Sequence, residues 1–153
     1  QLEQMKIFTV NFEHLIKNYT LYQNSLKELE LEKEKFTNKV DEIRKEMEMI
    51  VSSSRLLVLD ESLKNQNSMK LRELQSEGLK LESEFRSMIS QRQNEILEKS
   101  FSEIAEIAKD WSIKNGADLV LNINAIIFSK NEHDVTQKII DILREKDLYS
   151  ETT

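Results

Sequence analysis

Apolar residues recur along most of the chain at steps of three, four or seven positions. In the first half these positions are Leu29, Phe36, Val40, Ile43, Met47 and Ile50. In the second half the same spacing links Leu71, Leu74, Gly78, Leu81, Phe85 and Met88. Glu and Lys fill many of the positions between them. This repeat is typical of a coiled-coil seam and predicts two long helices that pack against each other.

The two helices need a turn between them, and the polar stretch "KNQNS" at residues 64–68 is predicted to supply it. This stretch lies near the midpoint of a helical region that begins at Thr20 and ends near Asn115. "VSSSR" at residues 51–55 is an alternative turn, but it would leave one helix longer and partly unpaired. The pairs expected with the turn at 64–68 are Ile50 with Phe85, Met47 with Met88, and Leu57 with Gly78.

Short apolar runs with strand character flank the helical region. "KIFTVNF" at residues 6–12 precedes it, and "LVLNI" and "AIIF", joined by Asn124, follow it. Gly116 is suited to the left-handed conformation that ends a helix. Asp134 is predicted to cap a last helix, with Gln137 returning the hydrogen bond as in a capping box.

The predicted fold class is α+β and mostly α, with a long antiparallel helical hairpin projecting from a small β-body. The hairpin comprises residues 20–115, and the body comprises residues 1–19 and 116–153. Three short strands form too small a core to stand alone, so self-association is expected to cover their apolar faces. The strand residues expected at the interface between copies are Ile7, Val10, Leu119, Leu121, Ile123, Ile126 and Phe128.

Composition agrees with long, uninterrupted elements. Charged residues make up 33% of the chain, with two Gly and no Pro, so few positions favour a turn. The net charge of −6 is spread over interleaved positive and negative side chains, as on a solvated helix surface. No basic stripe is present, so nucleic acid is not an expected partner. No apolar run is long enough to predict a transmembrane helix.

The sequence offers little that could carry catalysis. His14 and His133 are the only histidines, there is no Cys, and no cluster around them has metal-ligand spacing. Nucleophile motifs, phosphate loops and Ser/His/Asp arrangements are absent. We therefore expect no enzyme activity, no cofactor and no metal.

The stretch "RLLVLDESL" at residues 55–63 is more apolar than a two-helix seam requires. One interpretation is structural: the stretch thickens the seam or forms a contact between copies. The other is functional: it forms an exposed apolar surface that binds a partner. The residues that would form such a binding surface are Leu56, Leu57, Leu59, Leu63 and Met69.

Both ends of the chain carry motifs that a coiled coil does not explain. Residues 117–143 comprise an apolar strand, an Asn-Ala turn, a strand with an aromatic end, and Asp134-Val135-Thr136 opening the last helix. Residues 6–20, "KIFTVNFEHLIKNYT", comprise a strand with a short helix behind it. These patterns resemble the Skp (OmpH-like) family of periplasmic chaperones. The family's last helix opens with Asp-Ile-Thr, and its first strand reads Lys-Ile-x-x-Val followed by Asn or Asp.

The resemblance implies a homotrimer whose strands form a β-barrel body and whose three hairpins surround a cavity. In the family this cavity holds unfolded outer-membrane proteins without nucleotide, so the chain is expected to be an ATP-independent holdase chaperone. The resemblance also implies a periplasmic location, and we expect a signal peptide to have been removed before Gln1. Well-known members are basic, whereas this chain is acidic. Contact with lipopolysaccharide or a membrane is therefore not expected.

Two alternatives remain at this stage. A prefoldin-type chaperone subunit also has two long helices, but its strands lie between the helices rather than outside them. A structural or adaptor coiled coil would dock a partner helix and would be expected to form a dimer or a tetrameric bundle rather than a trimer.

Overall fold

The computed structural model describes residues 4–56 and 60–151, with side chains described up to Asp147. It is 82% helical with a small sheet, which confirms the predicted, mostly α fold class. Short 3-10 helices occupy Ile123–Ala125 and Asn131–His133. The other elements are β1 (Ile7–Val10), α1 (Phe12–Lys17), α2 (Thr20–Leu56), α3 (Glu61–Lys114), β2 (Leu119–Asn122) and α4 (Thr136–Glu151).

The interruption between the two long helices lies earlier than predicted. Lys64–Ser68 are helical and belong to α3, so the turn expected there is wrong, and residues 51–55 are helical as well. Asp60 precedes the first turn of α3, where its Oδ1 accepts a hydrogen bond from the Leu63 amide at 3.2 Å. A side-chain acceptor at this position satisfies one of the unpaired amides of a helix start.

The error in the turn amounts to one heptad. The Asn67 amide donates a hydrogen bond to Ser54 Oγ at 2.9 Å, and Phe36 stacks on Phe85. Both pairs are centred between residues 60 and 61, whereas the predicted pairs were centred between 67 and 68. Moving the centre by seven residues moves each pairing by fourteen, as when Phe36 replaces Ile50 opposite Phe85. Every seam position therefore stays in the seam, and the repeat alone does not distinguish the two registers.

The described contacts divide the chain into two compact units, and the division falls inside both long helices. One, here called the helical unit, comprises Glu28–Gln93. The other, here called the mixed unit, comprises Gln1–Lys27 and Asn94–Thr153. The mixed unit therefore includes the first turns of α2 and the last turns of α3. The expected body was smaller, because it ended at residue 19 and resumed at residue 116.

The helical unit is held together by the predicted seam. Leu29 and Leu74 are buried, and most other seam residues are half-buried while their neighbours are exposed. Gly78 faces Ile43, whose Cγ2 would lie 3.9 Å from a Cβ at this glycine. Close packing of one apolar stripe therefore stabilises the pairing of the two helices, with the charged faces left in solvent.

The mixed unit has a core drawn mainly from β1, α1, α3 and α4. β1 pairs in parallel with β2, from Ile7 opposite Leu119 to Val10 opposite Asn122. The buried core residues are Phe8, Val10, Phe12, Leu15, Tyr19, Ile104, Ala108, Val135, Ile139, Ile140 and Leu143.

The third predicted strand is wrong for the described chain. Ile123–Ala125 form a 3-10 helix, and residues 126–128 are not in a strand. The sheet has only β1 and β2 within the described residues, so the outer edge of β2 has no strand beside it. A strand needs a neighbour for its backbone groups, and the "AIIF" run does not find one in the described part of its own chain.

The predicted ends of α3 and α4 are placed largely as expected. Gly116 has a φ of 78°, and the Ala117 amide donates to the Ser112 carbonyl at 2.9 Å, closing a Schellman motif. Asp134 Oδ1 accepts from the Thr136 amide at 2.9 Å. The capping-box partner is wrong, because the Gln137 side chain donates to Asp141 instead.

Candidate functional site

The predicted partner-binding residues near the helix interruption include exposed apolar side chains. Leu56 is 86% exposed and Met69 is 63% exposed, so neither is a seam residue. Leu63 is also exposed. Leu57 and Leu59 lie outside the described residues. The helical unit thus presents apolar side chains on both helices near their interruption.

A second apolar feature of the helical unit was missed by the sequence reasoning. The rings of Phe36 and Phe85 stack with centroids 3.8 Å apart and planes 3° from parallel. Beside them lies a cavity of about 400 Å³, whose apolar wall is completed by Leu81 and Met88. We call this cavity the aromatic groove. Both phenylalanines had been assigned to the seam, and only the correct register places them opposite each other.

Charged side chains form the rim of the aromatic groove. Arg92 forms an ion pair with Glu32 on the other helix. Lys35, Lys39 and Glu84 also line the groove and are exposed. Among the described residues, none of these three forms an ion pair within 4.0 Å. The rim therefore carries three positive and two negative side chains, and of these only Arg92 and Glu32 form an ion pair.

The mixed unit contains another apolar cavity, of about 470 Å³, beside β2 and α3. Phe12, Phe101 and Val120 are among its lining residues, and the first two rings lie 4.3 Å apart. Ser112 also lines it, and its buried Oγ has no hydrogen-bond partner among the described residues. A large apolar cavity at the surface of a small core is typical of a face that another chain covers.

The predicted interface residues differ in exposure. Val10 is 4% exposed and belongs to the core of its own chain, so little of this side chain is open to a partner. Phe128 is 79% exposed, and its neighbour Ile127, which was not predicted, is fully exposed. Leu119 and Ile123 are exposed, and the half-buried members are Ile7, Leu121 and Ile126.

A partly buried polar cluster connects the helices of the mixed unit. The Tyr19 hydroxyl donates a hydrogen bond to Glu103, and the Thr20 hydroxyl donates to Asp147. Burial raises the pKa of Tyr19 well above its usual range, and the hydrogen bond to Glu103 raises it further. These bonds join the start of α2 to α3 and α4, which is a structural role.

The two histidines have structural surroundings. His133 Nδ1 lies 3.1 Å from the Ile7 carbonyl, and the His14 amide donates to the Asn11 side chain that caps α1. No group of three or more potential metal ligands occurs in the part of the chain that is described. Within that same part, no helix combines the length and apolarity needed to cross a membrane.

Comparison with protein families shows the family to which the chain belongs. The family model described as "Outer membrane protein (OmpH-like)" matches residues 6–143. The chain belongs to the OmpH-like family. No curated protein matches this member of the OmpH-like family.

A solved structure shares the OmpH-like fold. It is the crystal structure of a candidate outer membrane chaperone, also OmpH-like, from Caulobacter crescentus, with a TM-score of 0.81. The match covers 95% of this chain and 88% of the other at 8% sequence identity. At this identity the similarity shows the fold alone.

Proposed function

We propose that the protein is an ATP-independent holdase chaperone of the periplasm that keeps unfolded outer-membrane proteins from aggregating. Its membership of the OmpH-like family over residues 6–143 carries this proposal, and the fold shared with a candidate outer membrane chaperone supports it. The physical support is the combination of exposed apolar side chains and densely charged faces in the helical unit. Apolar side chains can contact an unfolded client while the charged faces keep the complex soluble.

The proposal includes a homotrimer assembled through the mixed unit. Ile127 and Phe128 present an apolar segment that the single chain leaves in solvent, and the same unit carries an apolar cavity of about 470 Å³. Within the described residues no strand pairs with the outer edge of β2, so this edge is free to accept a strand from another copy. Exposed apolar segments and free strand edges are both stabilised when copies of the chain cover them.

Client binding would then rest on many weak contacts rather than on one tight site. Leu56, Leu63 and Met69 are proposed client contacts, together with Leu57 and Leu59 of the same stretch. Three helical units that hold one client would raise the effective concentration of each further contact. Release would follow when a more favourable state, such as the inserted barrel, competes for the client. Nucleotide has no part in this scheme.

The test is an aggregation assay with a urea-denatured outer-membrane β-barrel protein diluted into buffer without nucleotide. Light scattering should fall as the protein is added and should level off near one trimer per client, because one shared cavity holds one client. Added ATP should change nothing. Aggregation that proceeds unchanged at a severalfold excess of the trimer would contradict the holdase proposal.

A further inference from the structure

We propose that the aromatic groove of the helical unit selects client segments in which an aromatic residue lies next to an acidic one. This inference rests on the proposed holdase function and names the chemical class of segment that the groove binds. Its basis is the placement of the stacked phenylalanines beside Lys35 and Lys39.

The apolar part of the groove is already formed in the chain. The rings of Phe36 and Phe85 cover each other on the sides that face each other. The rest of their surface lines the groove together with Met88, which is exposed. The volume of about 400 Å³ falls within the roughly 300–1,000 Å³ range of sites that hold small ligands. Leu56 and Met69 line neither this groove nor the cavity beside β2. The groove is shallow and open to solvent, so a client side chain can pack against its apolar floor.

The charges at the rim favour an anion beside that side chain. Lys35 and Lys39 are one helical turn apart on the same face, so their like charges repel. Neither lysine forms an ion pair with any residue in the described ranges. Arg92 is occupied by Glu32, and Glu84 contributes one negative charge to the opposite rim. The groove thus carries one net positive charge in a chain whose net charge is −6.

The occupant follows from these two properties. An aromatic side chain of an unfolded segment would pack against the phenylalanine rings, and a neighbouring carboxylate would reach the exposed lysines. A segment with Lys or Arg next to the aromatic residue would bind more weakly, because Lys35 and Lys39 would repel its positive charge. Each contact is weak, but repetition over three copies would bias which parts of a long client are held.

Methionine methyl signals provide a direct measurement. The chain contains five methionines, of which Met88 lines the groove whereas Met49 and Met5 do not. The protein labelled with ¹³C at its methionine methyl groups would be titrated with three Gly/Ser peptides of about ten residues. One carries Phe between two Asp, the second Phe between two Lys, and the third Ser between two Asp. The first should shift the Met88 signal while the Met49 and Met5 signals stay in place, and it should bind about threefold to tenfold more tightly than the second.

Charge reversal supplies the matched control. Lys35→Glu with Lys39→Glu should invert the preference between the first two peptides. Lys45→Glu with Lys80→Glu changes the net charge by the same amount at exposed positions outside the groove, and it should preserve the preference. Equal binding of the acidic and basic peptides, equal effects of the two double variants, or an unmoved Met88 signal would each overturn the inference.

The aggregation assay separates this inference from the holdase proposal. If the wild-type protein suppresses aggregation but its groove shows no preference for the acidic peptide, the groove assignment fails and the holdase proposal stands. If the groove prefers the acidic peptide but aggregation is not suppressed, the holdase proposal fails, and with it the claim that the bound segments belong to clients.

Discussion

The two units of this chain are stabilised in different ways. In the helical unit one apolar stripe repeats along two helices, and most seam side chains remain half-buried. In the mixed unit eleven buried side chains from strands and helices form one core, and several have no exposure at all. A repeating seam tolerates change at single positions because neighbouring layers are alike. A small core with non-repeating contacts does not, because each side chain fills a particular space.

Truncation of one isoleucine in each unit tests this comparison and should give the largest effect. Ile139→Ala, at a fully buried position of the mixed unit, should lower the free energy of unfolding by about 2–5 kcal/mol. Ile43→Ala, at a half-buried seam position, should cost clearly less because part of its side chain is already in water. Urea titrations at a fixed protein concentration would be followed by circular dichroism and by the fluorescence of Trp111, which packs near Phe8. Equal losses in the two variants would break the comparison.

Loss of the exposed apolar residues near the helix interruption should affect binding and leave stability unchanged. Leu56→Ser, Leu63→Ser and Met69→Ser together should weaken client binding by about tenfold or more, since each partial apolar contact is repeated on three copies. Helical content should stay the same because these side chains are exposed. The control is Leu31→Ser with Leu79→Ser, two exposed leucines elsewhere in the helical unit. Lower helicity with unchanged client affinity would assign the stretch to structure instead.

The two glycines should respond in opposite directions to the same substitution. Gly78→Ala should stabilise the protein by about 0.5–1 kcal/mol, because alanine favours helix and its Cβ would meet Ile43 at an ordinary 3.9 Å. Gly116→Ala should destabilise it by about 1–2 kcal/mol, because φ is 78° at this helix end. Thermal unfolding followed by circular dichroism would measure both. A stabilising Gly116→Ala would contradict the role of this helix end.

The sequence was most informative where the deciding contact is local. Gly116 and Asp134 were placed correctly because a helix end depends on residues within one turn. The turn was misplaced by about one heptad because both registers bury the same stripe, and the decisive Asp60 cap lies beside an apolar run.

Other features depend on contacts that no sequence window contains. The aromatic groove was missed because Phe36 and Phe85 are far apart in the chain and meet only in the correct register. The third strand was wrong because the described chain offers "AIIF" no neighbouring strand. The exposure of Ile127 is the signal that points to a partner for this segment.

The mass of the protein in solution tests most directly whether the mixed unit assembles three copies, as proposed. Light scattering coupled to gel filtration at micromolar concentration should give about 54 kDa, three times the 18.0 kDa of one chain. Ile127→Asp with Phe128→Asp should shift the mass towards that of one chain, because both side chains are exposed in the single copy and would be covered in the trimer. A wild-type mass of one chain would contradict the account, and a dimer or tetramer would favour an adaptor coiled coil instead.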